Sequence, residues 1–423
     1  MTGNPGKEWI NAGVFMIDSL TTLWLAGLHE EFNRCVAHIQ DLDWSHSHNG
    51  FDSFFEITIR LLGGLIGAYD LSGENVLLQK AIELADRLLI NFSDDSPFPY
   101  PRINLASGER RWDWRSRGIY GLAEIGSFQL EFIQLSYHTG DPKYKIVADK
   151  AMAALMSEDD ALLAEQQKIS GGKAVNDNTH LTMGGNGDSY FEYLLKIYIQ
   201  SGRQDTKYLR KFEEVYDQAI EKLQVTTQGD QMVFWDDVRS GRHTSNFEHL
   251  TCFIGGTLAL GHYRDGASHP DWQRTSTELA KTCREMYTRT KTGLASESVR
   301  MDPNTPHFSQ QMTIPSNGVG VLRPEAAESW YYLHYFTGDP KYRAWAHEYL
   351  AALNQHARAP YGYSTVSDVN QVPTTHTGFC ESFVMAETLK YLFLIMSDRA
   401  TLDLSKYVLN TEAHPFLIHE MDK

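Results

Sequence analysis

Apolar residues recur at three- and four-residue spacing through most of this chain, in segments rich in Ala, Leu, Glu, Lys and Tyr; strand-type alternation is nearly absent. One turn returns between such segments: YDLSGENVLLQKAIELADRLL, YHTGDPKYKIVADKAMAAL, YIQSGRQDTKYLRKFEEVYDQAIEKL, YRDGASHPDWQRTSTELAKTC and YFTGDPKYRAWAHEYLAAL. Its glycines, Gly73, Gly140, Gly202, Gly266 and Gly338, are separated by 67, 62, 64 and 72 residues. Each suits the left-handed position that ends a helix, and the Asp, Ser or Pro after it starts the next one. The repeating unit is therefore an αα-hairpin with a linker of variable length. Such hairpins stack as an open solenoid or close into a ring. A period near 65 residues exceeds that of the common open helical repeats. The linkers, such as PFPYPRINLASGERRWDWRS, TMGGNGDS and MDPNTPHFSQQMTIPSNGVGVLRPE, are long and rich in Gly, Pro and aromatic residues. Gathered on one rim they would make a pocket. The expectation is an all-α, single-domain toroid of six or seven hairpins over residues 1–423, without an interior boundary.

Carboxylates interrupt the apolar pattern. Glu56 lies in FFEITIRLLGGL, Glu131 in FQLEFIQL, Asp188 in GGNGDSYFEYLL, Glu325 and Glu328 in LRPEAAESWYYL, and Glu387 in FVMAETLKYLFL. An unpaired charge taken out of water costs several kcal/mol, so such groups are paired, bind a metal or do chemistry. Six of them predict an acidic pocket assembled from many segments.

Bulk properties narrow the classes. A net charge of −16 argues against a nucleic-acid partner. No apolar run approaches about 18 residues, so no membrane span is expected, and MTGNPGKEWINA lacks the apolar segment of a signal peptide. An aromatic content of 12% fits both a carbohydrate-handling cleft and an aromatic-rich core. Cys252 and Cys283, 31 positions apart across a predicted helical hairpin, suit either a bridge or two buried thiols. The single sequon, Asn91-Phe92-Ser93, and the loop His46-Ser47-His48 carry little by themselves.

Eight blocks in order add a family. FEITIRLLGGLIGAYDLSG, PYPRINL, LEFIQLSYHTGDPKY, GDSYFEYLLK, EHLTCFIGGTLALG, LRPEAAESWYYLHYFTGDPKY, AETLKYLFLIMSD and NTEAHP together closely resemble the class I α-1,2-mannosidases, the calcium-dependent inverting glycosidases of family 47 that trim N-linked glycans. The resemblance implies an (α/α)7 barrel. It covers nearly the whole chain, less a helix that family domains carry ahead of GKEWINAGVFMIDSL, so a barrel lacking its first helix is expected. An inverting glycosidase needs one carboxylic acid to protonate the leaving oxygen and a second carboxylate to activate water. The resemblance places the acid at Glu56, with Arg60 one turn later to orient it and burial to raise its pKa. It places the base at Glu325, near Arg323 and Glu328, and makes Asp188 a third carboxylate and alternative acid. Glu131, Glu387 and Glu412 become the remaining acidic wall, and Phe383 the aromatic under the sugar ring. The implied cofactor is Ca²⁺, a hard ion suited to oxygen ligands, held by the hydroxyl and carbonyl oxygens of Thr411. Cys252 and Cys283 fall on the family's disulfide positions, implying an oxidising secretory compartment, Golgi or endoplasmic-reticulum lumen; Cys35 and Cys380 are expected to be free.

Taken singly, these residues have plainer readings. Glu328, Glu381 and Glu387 suit paired helix faces, Phe383 a core, Thr411 a helix cap, and His249 and His414 a hydrogen-bonding scaffold. Three positions depart from the family pattern: Glu248 stands where many relatives have Asp, Thr21 replaces a common Asp, and Asn186 replaces the Arg of the strict endoplasmic-reticulum enzyme, which fits a broader specificity. The expected function is hydrolysis of terminal α-1,2-mannose from high-mannose N-glycans, Man9 towards Man8–Man5, by a monomer without membrane contact. A weakly hydrolytic mannose-binding quality-control factor is the alternative; a scaffold or zinc prenyltransferase toroid finds no metal set here.

Overall fold

The computed structural model describes residues 12–46, 50–112, 117–157, 161–229, 231–265 and 269–420. Gly266 of the repeated turn, and Ser47 and His48 of the short His loop, lie outside the described residues. The chain divides into two compact units, each assembled from stretches that alternate along the sequence. One contains residues 12–179, Ser189–Gln218 and the segment from Leu402; the other contains His180–Asp188 and Ala219–Thr401. They are called here the 12–179 unit and the 219–401 unit.

The predicted hairpin punctuation is present. Gly73, Gly140, Gly202 and Gly338 have φ of 75°, 70°, 66° and 69°, the left-handed region that costs glycine least. At the last of these turns the helix Glu325–Thr337 ends as Gly338 donates its N–H to the His334 carbonyl at 2.9 Å. Asp339 then caps the helix Pro340–Ala352, accepting the Lys341 N–H at 3.0 Å. Of each pair, one helix is buried all round: Gln129–Ser136, Ser189–Gln200 and Glu325–Leu333 have no exposed residue. Its companion is amphipathic, as Asn75–Leu88 and Thr206–Lys222 are, with one apolar stripe.

In the 12–179 unit the helix Val14–Leu25 packs on Gly63–Ser72, which packs on Asn75–Leu88 and Gln129–Thr139. Phe54, Phe92, Phe128 and Phe132 meet mostly edge-on with centroids 5.4–6.1 Å apart and anchor the start of the helical run that carries Glu56. In the 219–401 unit, Glu325–Thr337 packs against Phe253–Asp265, Pro270–Thr288, Pro340–Ala352 and Leu389–Met396. Close approach there needs Gly256, where a Cβ would lie 2.8 Å from the Tyr332 ring and 3.2 Å from Ser329 Cα.

The linkers fold into something the apolar pattern did not predict. Short antiparallel pairings form within them, among them Gln166–Ser170 with Lys173–Asn176 and Asn246–Glu248 with Ser298–Met301. Pairing satisfies the backbone of these non-helical segments; the strands are too short to alternate visibly in sequence. Asn91 of the sequon is fully buried and donates Nδ2 to the Tyr100 carbonyl at 2.8 Å, so the folded chain does not present it for glycosylation. No helix among the described residues is long and apolar enough to cross a membrane.

Candidate active site

Arg60 is the hub of the acidic cluster in the 12–179 unit. It lies in a π-helical stretch, Ile57–Leu62, continuous with the short helix Phe54–Glu56 before it; π-bulges within helices frequently mark functional sites. Its Nε donates to Glu56 Oε2 at 2.7 Å, and its Nη1 faces Asp18 Oδ2 at 3.4 Å and bonds Glu412. Glu56 keeps 35% of its side chain exposed, more than its apolar neighbours in sequence imply, while Asp18 and Glu412 are buried. Burial drives Glu412 well above the usual carboxylate range; Arg60 opposes this, and the charges of Asp18 and Glu56 add to it.

Glu412 belongs to a turn, residues 410–414, between the paired strands Tyr407–Leu409 and Pro415–Leu417. The turn sits on the helix Gly63–Ser72 because that helix is bare there: a Cβ on Gly63 would lie 2.6 Å from Asn410 Nδ2, and one on Gly67 3.0 Å from His414 Cβ. His414 bridges back to the chain's early helix, Nε2 to Asp18 Oδ1 at 3.0 Å and Nδ1 to Thr21 Oγ1 at 3.0 Å. Thr21 thus has a defined task, as a neutral partner for the imidazole.

Beneath the turn, Glu131 is fully buried; its Oε1 accepts bonds from Tyr193 O–H and Asn410 Nδ2, each at 2.8 Å. Its Oε2 has no partner among the described residues. Burial raises its pKa to about 7, against the lowering pull of the Asn410 and Tyr193 bonds. The folded chain therefore keeps this proton where the unfolded chain releases it, and stability falls as pH rises through that interval. Between pH 4.5 and 7, wild-type stability is expected to drop by roughly 3 kcal/mol relative to Glu131→Gln, measured by urea unfolding in chelator. Parallel pH profiles would refute the assignment.

The 219–401 unit holds a second cluster around Glu325, at the first turn of Glu325–Thr337 and 9% exposed. His249 Nδ1 donates to Glu325 Oε2 at 2.7 Å, and its Nε2 meets the Tyr287 hydroxyl at 2.7 Å. Arg323 places Nη1 3.9 Å from Glu325 Oε1 and donates Nε to Glu297 at 2.6 Å. Burial alone would raise the Glu325 pKa; the bond and charge of His249, with Arg323, outweigh it and hold the carboxyl below its ordinary value. Arg323 feels Glu325, Glu297 and Asp188, and its guanidinium lies 5.6 Å from the Phe383 ring centre. Leu322, just before it, takes a left-handed φ of 69°, a conformation leucine rarely adopts, and its carbonyl accepts a bond from Thr388 at 2.7 Å. That bond ties the Glu325 loop to the π-helical stretch Val384–Thr388, which carries Glu387. Glu328 and Glu387 are buried; Glu381 is exposed and lies outside any helix, not on the paired helix face of its plainer reading. Glu248 Oε2 accepts the Gly185 N–H at 3.0 Å, holding the loop in which Asn186 is exposed at φ 69° and Asp188 starts the next helix. The Cys252–Cys283 bond is present, and Cys35 and Cys380 are unpaired.

The sequence model of glycosyl hydrolase family 47 matches residues 2–418. The chain belongs to that family. It is 37% identical over 410 residues to human mannosyl-oligosaccharide 1,2-alpha-mannosidase IB, covering 95% of this chain and 62% of the relative. It is also 37% identical over 428 residues to the human endoplasmic reticulum mannosyl-oligosaccharide 1,2-alpha-mannosidase, covering 97% and 59%. The chain thus spans about three-fifths of the length of these curated relatives. The alpha-1,2-mannosidase from Trichoderma reesei superposes with a TM-score of 0.88 at 28% identity, over 96% of this chain and 91% of that one. The fold class is that of family 47, the helical (α/α)7 barrel expected from the sequence.

Family 47 membership brings calcium into question. Among the described residues no group of three or more His, Cys, Asp or Glu is placed to hold a metal ion. Thr411 fits a different kind of site. It is half-buried, its N–H is turned towards the Tyr193 hydroxyl at 3.4 Å, and neither its hydroxyl nor its carbonyl oxygen has a hydrogen bond among the described residues. Two hard oxygens beside the buried Glu412 suit a Ca²⁺ completed by waters.

Sequence reasoning missed part of these two clusters. Asp18 in VFMIDSL and Glu192 in SYFEYLLK are acids in apolar helices, the same signal as Glu56, and could have been found; Glu192 pairs with buried Lys196 one turn on. Asn410 was visible inside NTEAHP. Tyr287 and Glu297 gave no signal, since neither interrupts an apolar run.

Proposed function

We propose that this chain is the catalytic domain, single and monomeric, of an inverting α-1,2-mannosidase that removes terminal mannose from high-mannose N-glycans. The observation that carries the reading is the family 47 match over residues 2–418. Relatives named as mannosyl-oligosaccharide 1,2-alpha-mannosidases support the substrate class.

Each residue then has a task. Glu325, kept ionised by His249 and Arg323, takes a proton from water as the water oxygen bonds to the anomeric carbon. Glu56, oriented by Arg60, gives its proton to the glycosidic oxygen as the carbon–oxygen bond breaks, with Asp188 the alternative donor. The products are free mannose of inverted configuration and a glycan one residue shorter. Phe383 supports the sugar ring; Glu131 and Glu412 supply acidic groups in the 12–179 unit, and Glu248, Glu328 and Glu387 in the 219–401 unit. Bound through Thr411, Ca²⁺ would grip sugar hydroxyls and orient the attacking water. Asn186, small and exposed, fits progressive trimming of Man9 towards Man5. The disulfide supports a secretory compartment.

The test is hydrolysis of a Man9 glycan with calcium, with chelator and after calcium is restored, the product isomers read by proton NMR. Chelation is expected to abolish turnover reversibly and to lower the unfolding temperature, since a ligand at 1,000 times its Kd stabilises by about 4 kcal/mol. Full activity in chelator would remove the calcium role; glycan binding without product would make the chain a lectin-like factor.

A further inference from the structure

The carboxamide of Asn410 is used completely. The residue is 0% exposed. Its Oδ1 accepts the N–H groups of Glu412 at 3.0 Å and His414 at 2.8 Å. Its Nδ2 donates to the Ile59 carbonyl at 3.0 Å and to Glu131 at 2.8 Å. Two donors and two accepted bonds exhaust what a carboxamide offers. Its backbone closes the same turn: the Asn410 N–H donates to the His414 carbonyl at 2.9 Å, and the Ala413 N–H to the Asn410 carbonyl at 3.1 Å. Lys196 reaches that carbonyl at 3.4 Å.

One side chain therefore ties the turn to the helical run bearing Arg60, through Ile59, and to Gln129–Thr139, through Glu131. The turn it holds is not relaxed. Ala413 has a φ of 57°, the left-handed region that an L side chain enters at a cost. With the N–H groups of residues 412 and 414 turned inward onto Asn410, and that of Thr411 onto Tyr193, the backbone of the turn points its donors into the protein. The two oxygens of Thr411 are left without a protein hydrogen bond among the described residues.

We infer that Asn410 is a positioning residue, whose amide clamps the turn so that the two oxygens of Thr411 are presented together to a divalent cation. The inference rests on the reading of Thr411 as the calcium ligand. It goes beyond that reading in assigning the shape of the site to a neighbour that touches neither ion nor sugar.

The measurement is calcium titration by calorimetry on the whole chain, with circular dichroism to establish that each variant is folded. Asn410→Ala removes both accepted bonds and is expected to weaken calcium binding by about 10–100-fold, the usual effect of losing a residue that orients a ligand. Asn410→Asp keeps the oxygen that accepts from residues 412 and 414 but sets its second oxygen against the Ile59 carbonyl and Glu131 in place of the two donated bonds, so it is expected to weaken calcium binding as well. The calcium concentration for half-maximal turnover should rise in Asn410→Ala while kcat at saturating calcium stays near wild type. A role in stability alone would lower the melting temperature without moving that concentration. If Asn410→Ala does not fold, the double variant Asn410→Ala/Ala413→Gly relieves the left-handed residue and supplies a second background, with the same weakening expected. Wild-type calcium affinity in either folded variant overturns the inference. Thr411→Ala separates the two readings: if it binds calcium as wild type does, the Thr411 assignment fails; if it loses the ion while Asn410→Ala keeps it, only the clamp fails.

Discussion

Glu325→Gln is expected to lower kcat by about 10²–10⁴-fold while the protein stays folded, the range that one general base contributes. Glutamine preserves the volume and can still accept the His249 Nδ1–H, and Arg323 retains its 2.6 Å bond to Glu297, so the surrounding network has no new unpaired charge. What is lost is the capacity to take a proton. The pH dependence gives a second readout. Because His249 and Arg323 hold the Glu325 carboxyl below its ordinary value despite burial, the base remains ionised on the acid side of a normal glutamate. Activity limited by this group should persist into that region and fall only as pH drops through the depressed pKa. By the same linkage, stability from this ionisation is present above the unfolded value and lost below the folded one. A variant that keeps more than a tenth of wild-type kcat would remove Glu325 as the base.

Arg60→Leu should produce the largest loss of stability. It leaves Asp18, Glu56 and Glu412 without their shared counterion, and breaking a buried pair by removing one partner costs about 3–5 kcal/mol. Arg60→Lys should fall between, since an ammonium supplies charge without the planar fork that reaches three carboxylates. Direction with pH is also fixed. Removing Arg60 takes away the charge that pulls the Glu412 pKa down, so the folded variant holds that proton still more tightly, and the deficit of Arg60→Leu should shrink towards acid pH and widen as pH rises. Urea unfolding at three pH values measures both. An Arg60→Leu protein as stable as wild type at neutral pH would mean that the cluster is effectively solvated.

The helical frame could be read from the sequence because its signals are local. A glycine after an apolar run, followed by Asp, Ser or Pro, announces a helix end and a helix start, and four such glycines take positive φ. Embedded carboxylates were legible for an energetic reason, since a buried Glu131 is expensive wherever it occurs; Glu412, in the polar NTEAHP, came only from the family resemblance. Two kinds of feature were not legible. Partners such as Tyr287 and Glu297 owe their importance to what lies opposite them, which no window of neighbours contains. The division into two compact units leaves no mark either, because each unit is built from interleaved stretches rather than separated by a linker. Glu56 stood out by its apolar neighbours, yet its side chain is 35% exposed; adjacency in sequence says what surrounds the backbone, not where the carboxylate ends.

The bond from His414 to Asp18 spans 396 positions, and the bond from Asn410 to Ile59 spans 351. Loop closure on that scale must precede any reward from these contacts. A nascent polypeptide emerging from the ribosome can complete its early helices without owning the turn that docks on them. The acids near residues 18 and 56 consequently stay unassembled through most of translation, and the turn that carries Thr411 takes its place only when the strand pair Tyr407–Leu409 and Pro415–Leu417 folds back onto Gly63–Ser72.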